Sequence, residues 1–172
     1  MVLEKVTKEG KEISGAEGRL LNPGHAIEAG WFLLQYATRT ENYELARIAI
    51  DKFIEQSFDT GWDDTYGGIL YYLDASGFSP TQLEWNMKLW WPHAEALIAL
   101  LMAYKETRDQ RFIEKFDLVF QYTFAHVSNW KLLHSFSTFN VLTRRPRQSI
   151  FLMLATLVYE TQLKLLLYLN RF

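Results

Sequence analysis

Apolar residues recur at three- and four-residue steps along the first two thirds of the chain, a rhythm that predicts helices. Ile27, Trp31, Leu34 and Ala37 mark one helix over about 25–38. Asn22 offers a favourable N-cap for it, and Pro23 a favourable first residue. A second helix is expected at 42–57, a third at about 92–106 opened by Pro92, and a fourth at about 109–126. Residues 1–20 are polar and glycine-containing and predict a loop or strand fragment. Over 59–78, Gly61-Trp62-Asp63-Asp64 and Tyr66-Gly67-Gly68 precede the apolar run Ile69 to Leu73. That order predicts a turn feeding a short strand or a β-hairpin near 66–73. Asp63 and Asp64 lack the spacing of a calcium loop, so turn chemistry is expected of them. Ser79-Pro80-Thr81-Gln82 has the form of a capping box.

A shift of 68 residues places His25 on His93, Ala26 on Ala94, Leu33 on Leu101 and Tyr36 on Tyr104. Each copy reads as helix, short polar turn, helix. Repeated helical hairpins build solenoids or closed rings, and two of them seldom suffice for a ring. The pattern changes after about residue 126. Arg144-Arg145-Pro146-Arg147 is a basic break, and Ile150 to Tyr159 is apolar but for Thr156. A membrane helix needs about 20 predominantly apolar residues. Glu160, Gln162 and Lys164 end this run after roughly half that. A hydrophobic, self-associating helix is the expectation, and a membrane span is not.

Composition narrows the function classes. Aromatic residues make up 16% of the 172 residues, which suits a pocket that stacks on an organic ligand or, equally, an aromatic core. A net charge of −2 gives no electrostatic footprint for nucleic acid. With no cysteine, disulfide frameworks and thiolate metal sites are excluded. Met1 to Lys11 is charged, unlike a secretory signal, so a cytoplasmic location is expected.

The candidate chemistry sits at the start of the first helix. His25 falls in its first turn, and Glu28 lies one turn on along the same face. The helix dipole disfavours an imidazolium there, whereas Glu28 favours it, a balance that suits proton transfer near neutrality. Spacing alone equally allows a capped helix start with a satisfied histidine.

Several motifs together resemble the N-acylglucosamine 2-epimerase family, from about Gly15 to His126. They are Asn22-Pro23-Gly24-His25 with Glu28-Ala29-Gly30-Trp31-Phe32-Leu33-Leu34, and Gly61-Trp62-Asp63 with Gly67-Gly68. The longest is Pro80-Thr81-Gln82-Leu83-Glu84-Trp85, continued by Met87-Lys88-Leu89-Trp90-Trp91-Pro92-His93. The resemblance implies an all-α fold, with residues 1–126 forming part of an (α/α)6 barrel and 127–172 a divergent tail. It implies interconversion of N-acetylglucosamine and N-acetylmannosamine by inversion at carbon 2 of the open-chain sugar. Of the two histidines that the family uses, His25 matches one. Glu28 matches its accompanying carboxylate, and Glu95 a second pocket carboxylate. Trp90 and Trp91 would wall the sugar pocket, or else pack between barrel helices. Glu95 has its own bland alternative as a solvated charge near a helix start.

The departures are as informative. The family's second histidine lies in a His-x-Pro-Arg setting that this chain lacks, and the pocket arginine of the first hairpins is also absent. The start at Met1 and the foreign tail look like a truncated or mis-spliced product. The expectation is an epimerase segment with little activity alone, needing no cofactor or metal. The family also implies a nucleotide (ATP) effector, a homodimer and renin as a partner. A non-catalytic interaction segment is the alternative. A glycoside hydrolase using Glu28 and Glu95 is a more distant one.

Overall fold

A computed structural model describes residues 1–127 of the chain. The hydrophobic rhythm becomes two antiparallel helical hairpins. Helix α1 spans Pro23–Arg39. The returning arm comprises α2 (Tyr43–Ile48), a π-helical stretch (Ala49–Glu55) and α3 (Gln56–Gly61) without a break. The second hairpin pairs α4 (Trp90–Thr107) with α5 (Gln110–Tyr122). All four expected helices are present. The 68-residue repeat is structural: α1 ends at Arg39 and α4 at Thr107, with 107 − 39 = 68. Both hairpins turn through a non-glycine residue in the left-handed region, Glu41 at φ 54° and Arg108 at φ 59°.

Caps begin these helices as local chemistry dictates. The Asn22 side chain accepts the His25 backbone N–H at 3.0 Å, and Asn42 does the same for Leu45 at 3.0 Å. Helix α4 has no side-chain cap. It starts at Trp90, two residues before the Pro92 expected to open it.

The core lies where α1, the π-helical stretch, α4 and α5 meet. Ile27, Leu34, Ile50, Ile54, Phe58, Ala96, Leu100, Phe112 and Val119 are buried there. Alanines at 96, 99 and 103 are fully buried and let neighbouring helices approach α4 closely. Gly30 does so for α1, since a Cβ at that position would lie 2.7 Å from Ile54 Cγ1. Arg111 and Lys115 of α5 bind Glu55 at 2.8 and 3.2 Å, tying the second hairpin to the first.

Two expectations need correction. The short β-hairpin near 66–73 does not form. Instead β1 (Leu20–Leu21) pairs antiparallel with β2 (Leu73–Asp74), strands more than 50 residues apart. The Arg19 guanidinium grips Asp74 at 3.1 Å, holding its carboxyl below the usual carboxylate range and fastening this two-stranded sheet. Residues 63–68 form a tight turn closed by an isolated bridge between Trp62 and Ile69. Asp63 Oδ1 accepts the backbone N–H groups of Thr65 and Tyr66, which is the expected turn chemistry. The capping box at Ser79 is likewise not used. No helix starts there, and residues 79–88 are irregular with a turn at 83–86, Trp85 N–H donating to Gln82 O at 3.2 Å. Pro80 follows Ser79 directly, but no apolar helical run follows Gln82.

Residues Met1–Thr123 form one compact unit. The tail expected from 127 onward, with its apolar run at 150–159, lies outside the described residues apart from Val127 itself. Among the described residues no helix is long and apolar enough to cross a membrane.

Candidate functional site

The N-terminal ends of α1 and α4 lie side by side, and Gly24 sets their distance. A Cβ on Gly24 would sit 2.7 Å from the Trp91 indole. Its absence lets Trp91 lie against α1. The His25 and Trp91 rings then meet at 5.1 Å between centroids, tilted by 30°. Tyr71 meets Trp91 edge-on at 6.3 Å, and its ring stands 4.1 Å from that of Tyr72. Both tyrosines are held by their backbone N–H groups, which donate to Trp85 O at 3.1 Å. A hydrogen bond with Tyr71, followed by burial, pushes the Tyr72 hydroxyl up to about 12. His25, Trp91, Tyr71 and Tyr72 thus form an aromatic shelf at the joint between the hairpins.

His25 is half-exposed on that shelf. Its Nδ1 lies 2.9 Å from Glu4 Oε1. Glu4 arrives from the N-terminal segment, whose backbone is fixed where Glu4 N–H donates to Leu20 O at 2.9 Å. The expected companion, Glu28, is partly buried and has no hydrogen-bond or ion-pair partner among the described residues. The sequence carried no signal for Glu4, which is 21 residues from His25. The doublet Tyr71-Tyr72 was visible but read only as strand. Its link to Trp91 depends on the Trp85 loop.

A second bridge between α1 and α4 lies further along. The Trp31 indole N–H donates to Glu95 Oε2 at 2.6 Å. Glu95 is therefore partly buried and engaged by α1, not a solvated helix-start charge. Trp91 joins the shelf, whereas Trp90, a step of about 100° round the helix, makes no ring contact among the described residues. The structure therefore brings His25 and Trp91 together, puts Glu95 on Trp31, and leaves Glu28 and Trp90 unpartnered in these respects.

His93, which the repeat equates with His25, has a different environment. It is fully buried. Its Nε2 accepts the Ile69 backbone N–H at 3.0 Å, and its Nδ1–H donates to Leu89 O at 2.5 Å. Its ring stacks on Tyr122 at 5.1 Å. Burial holds His93 down at about 4, against a smaller upward pull from the Leu89 carbonyl. The ring is a neutral crosspiece between α4, α5 and the bridge residue Ile69 that follows the 63–68 turn. Lys88 reinforces that joint by binding Asp63 at 2.5 Å, which holds the Asp63 carboxyl below its usual range. Among the described residues no cluster of three metal-ligating side chains occurs.

Paired α-hairpins thus carry an imidazole, a carboxylate and a group of tilted and edge-on aromatic rings at their joint. The chain belongs to the N-acylglucosamine 2-epimerase family, whose sequence model matches residues 3–132. It is 54% identical to the N-acylglucosamine 2-epimerase of Rattus norvegicus over 124 residues, covering 72% of this chain and 30% of that protein. It is 52% identical to the N-acylglucosamine 2-epimerase of Homo sapiens over 123 residues, covering 29% of that protein. The chain thus spans about 30% of the length of the curated relatives it matches. Among solved structures, a D-mannose isomerase shares the fold with a TM-score of 0.52 at 23% identity, over 62% of this chain and 26% of that one.

Proposed function

We propose that this chain is the segment of an N-acylglucosamine 2-epimerase that supplies one of its two proton-transfer groups, His25. The observation that carries the reading is the state of that ring. It is half-exposed beside Trp91 and tied at Nδ1 to Glu4, with no partner for Nε2 among the described residues. Interconverting N-acetylglucosamine and N-acetylmannosamine requires a base to remove the carbon 2 proton on one face of the open-chain sugar. An acid must then return a proton on the other. The His25 imidazole on its aromatic shelf serves as the base, and the indole face of Trp91 stacks on the carbon skeleton. Glu95, fixed by Trp31, faces the same joint as a hydroxyl-binding carboxylate. His93 is excluded from the chemistry because both its ring nitrogens are engaged in the core.

A positioned proton-transfer group contributes about 10²- to 10⁴-fold in rate, so a chain with one of two inverts carbon 2 poorly. The test is N-acetylmannosamine in D2O with the purified chain, followed by proton NMR. Deuterium should enter carbon 2 faster than the epimer appears, and His25→Ala should abolish the uptake. Uptake undiminished in His25→Ala, or absent from the wild type, overturns the assignment. Epimerisation by the wild-type chain as fast as uptake overturns the one-sided mechanism.

A protein-binding segment is the second reading. Phe32, Tyr36 and Tyr43 favour it, being 53%, 61% and 77% exposed around the first hairpin. Capture of a partner without any sugar-dependent thermal shift would decide for it.

A further inference from the structure

The neutral imidazole has two tautomers, and only one leaves Nε2 able to accept a proton. An ionised carboxylate accepts hydrogen bonds and donates none. A carboxylate oxygen 2.9 Å from Nδ1 therefore places the ring hydrogen on Nδ1 and the lone pair on Nε2. Free histidine has no such constraint. We propose that Glu4 is a positioning residue for His25: it selects the Nδ1–H tautomer and fixes the ring plane, so that Nε2 is the base. This rests on the reading of His25 as the proton-transfer group.

Three features make Glu4 a built partner for His25. Its side chain is only 22% exposed, against 48% for His25. Its backbone is hydrogen-bonded to Leu20, two residues before the Asn22 cap. The same cap fixes the His25 backbone, because Asn22 Oδ1 accepts the His25 N–H at 3.0 Å. Carboxylate and imidazole are thus each anchored to the short segment 20–25. The ring is held at its Nδ1 edge by Glu4 and on one side by Trp91. Glu28 is the rival from the same helix, but it makes no bond to the ring. A carboxylate that orients an imidazole can be worth several orders of magnitude in rate where the pair is buried. At this half-exposed pair a loss of about 10-fold or more in carbon 2 exchange is expected.

The experiment is nitrogen-15 NMR of histidine-labelled full chain at pH 8, with wild type, Glu4→Ala, Glu4→Gln and Glu28→Gln. Carbon 2 deuterium uptake from N-acetylmannosamine is measured on the same samples. Wild-type His25 should show a protonated Nδ1 and an unprotonated Nε2. Glu4→Ala should shift the ring toward the Nε2–H form and slow uptake about 10-fold or more. Glu4→Gln, which keeps an acceptor oxygen and loses the charge, should fall between. Glu28→Gln should leave the tautomer unchanged. A wild-type ring protonated at Nε2, or an Nδ1–H signal unchanged in Glu4→Ala, overturns the proposal. So does a tautomer shift in Glu28→Gln as large as that in Glu4→Ala. A tautomer shift with unchanged uptake in Glu4→Ala also overturns the positioning role. If His25→Ala then exchanges normally too, the failure lies with the assignment of His25 itself.

Discussion

His93 should make this fold acid-sensitive in a defined pH window. Its ordinary value is 6.5, and burial depresses it in the folded chain to about 4. Above pH 6.5 the ring is neutral in both folded and unfolded chains, so its hydrogen bonds to Ile69 and Leu89 contribute fully. Between 6.5 and about 4 the unfolded chain binds a proton that the folded chain refuses. Stability then falls with pH at up to 1.36 kcal/mol per unit for this one group. Over the 2.5 units between 6.5 and 4 the loss is about 3 kcal/mol, a sizeable part of an ordinary domain's stability. The carboxylates of Asp63 and Asp74 are held below 3.8, so their contributions are lost only at lower pH. Urea denaturation of wild type and His93→Gln from pH 8 to pH 4 isolates the effect. Glutamine can still accept from Ile69 and donate to Leu89 but does not titrate. The wild-type midpoint should drop by about 1–2 M urea across the window, given typical urea slopes, and the variant should lose most of that dependence. A flat wild-type profile between pH 6.5 and 4.5, or an equal slope in His93→Gln, would refute the argument.

Two further substitutions probe the packing. Gly30→Ala forces a methyl to within 2.7 Å of Ile54 Cγ1 and 2.9 Å of Phe53 Cβ. It should destabilise by about 1–3 kcal/mol in chemical denaturation, and a neutral outcome would mean that α1 and the π-helical stretch are less closely apposed. Glu41→Gly relieves the left-handed conformation at φ 54° on an exposed turn and should stabilise by about 0.5–1 kcal/mol, read as a higher melting temperature.

The parts of this architecture legible in the sequence were those set by local periodicity and turn chemistry. The helix built on Ile27, Leu34 and Ala37 announces itself because its buried face repeats within a few residues. The turn at Asp63 is equally local, since its carboxylate bonds backbone only two and three residues on. The pairing of Leu20–Leu21 with Leu73–Asp74 was not legible, because each strand has two residues and its partner is set by how the hairpins dock. Glu4 was missed for the same reason. Its contact with His25 exists only once the N-terminal segment lies beside β1. The repeat was read correctly as architecture, and burial gives the two aligned histidines, His25 and His93, different environments.

That separation has a consequence for mutational tolerance. The two histidines occupy the same slot in successive hairpins, one half-exposed at the site and one fully enclosed in the core. Under selection for folding alone, position 93 admits few replacements, since any newcomer must accept from Ile69 and donate to Leu89 within the same volume. Position 25 admits many, because its side chain supports no core contact. Of the two equivalent slots, the first can therefore exchange its chemistry without asking the scaffold to refold, whereas the second is held by the scaffold itself.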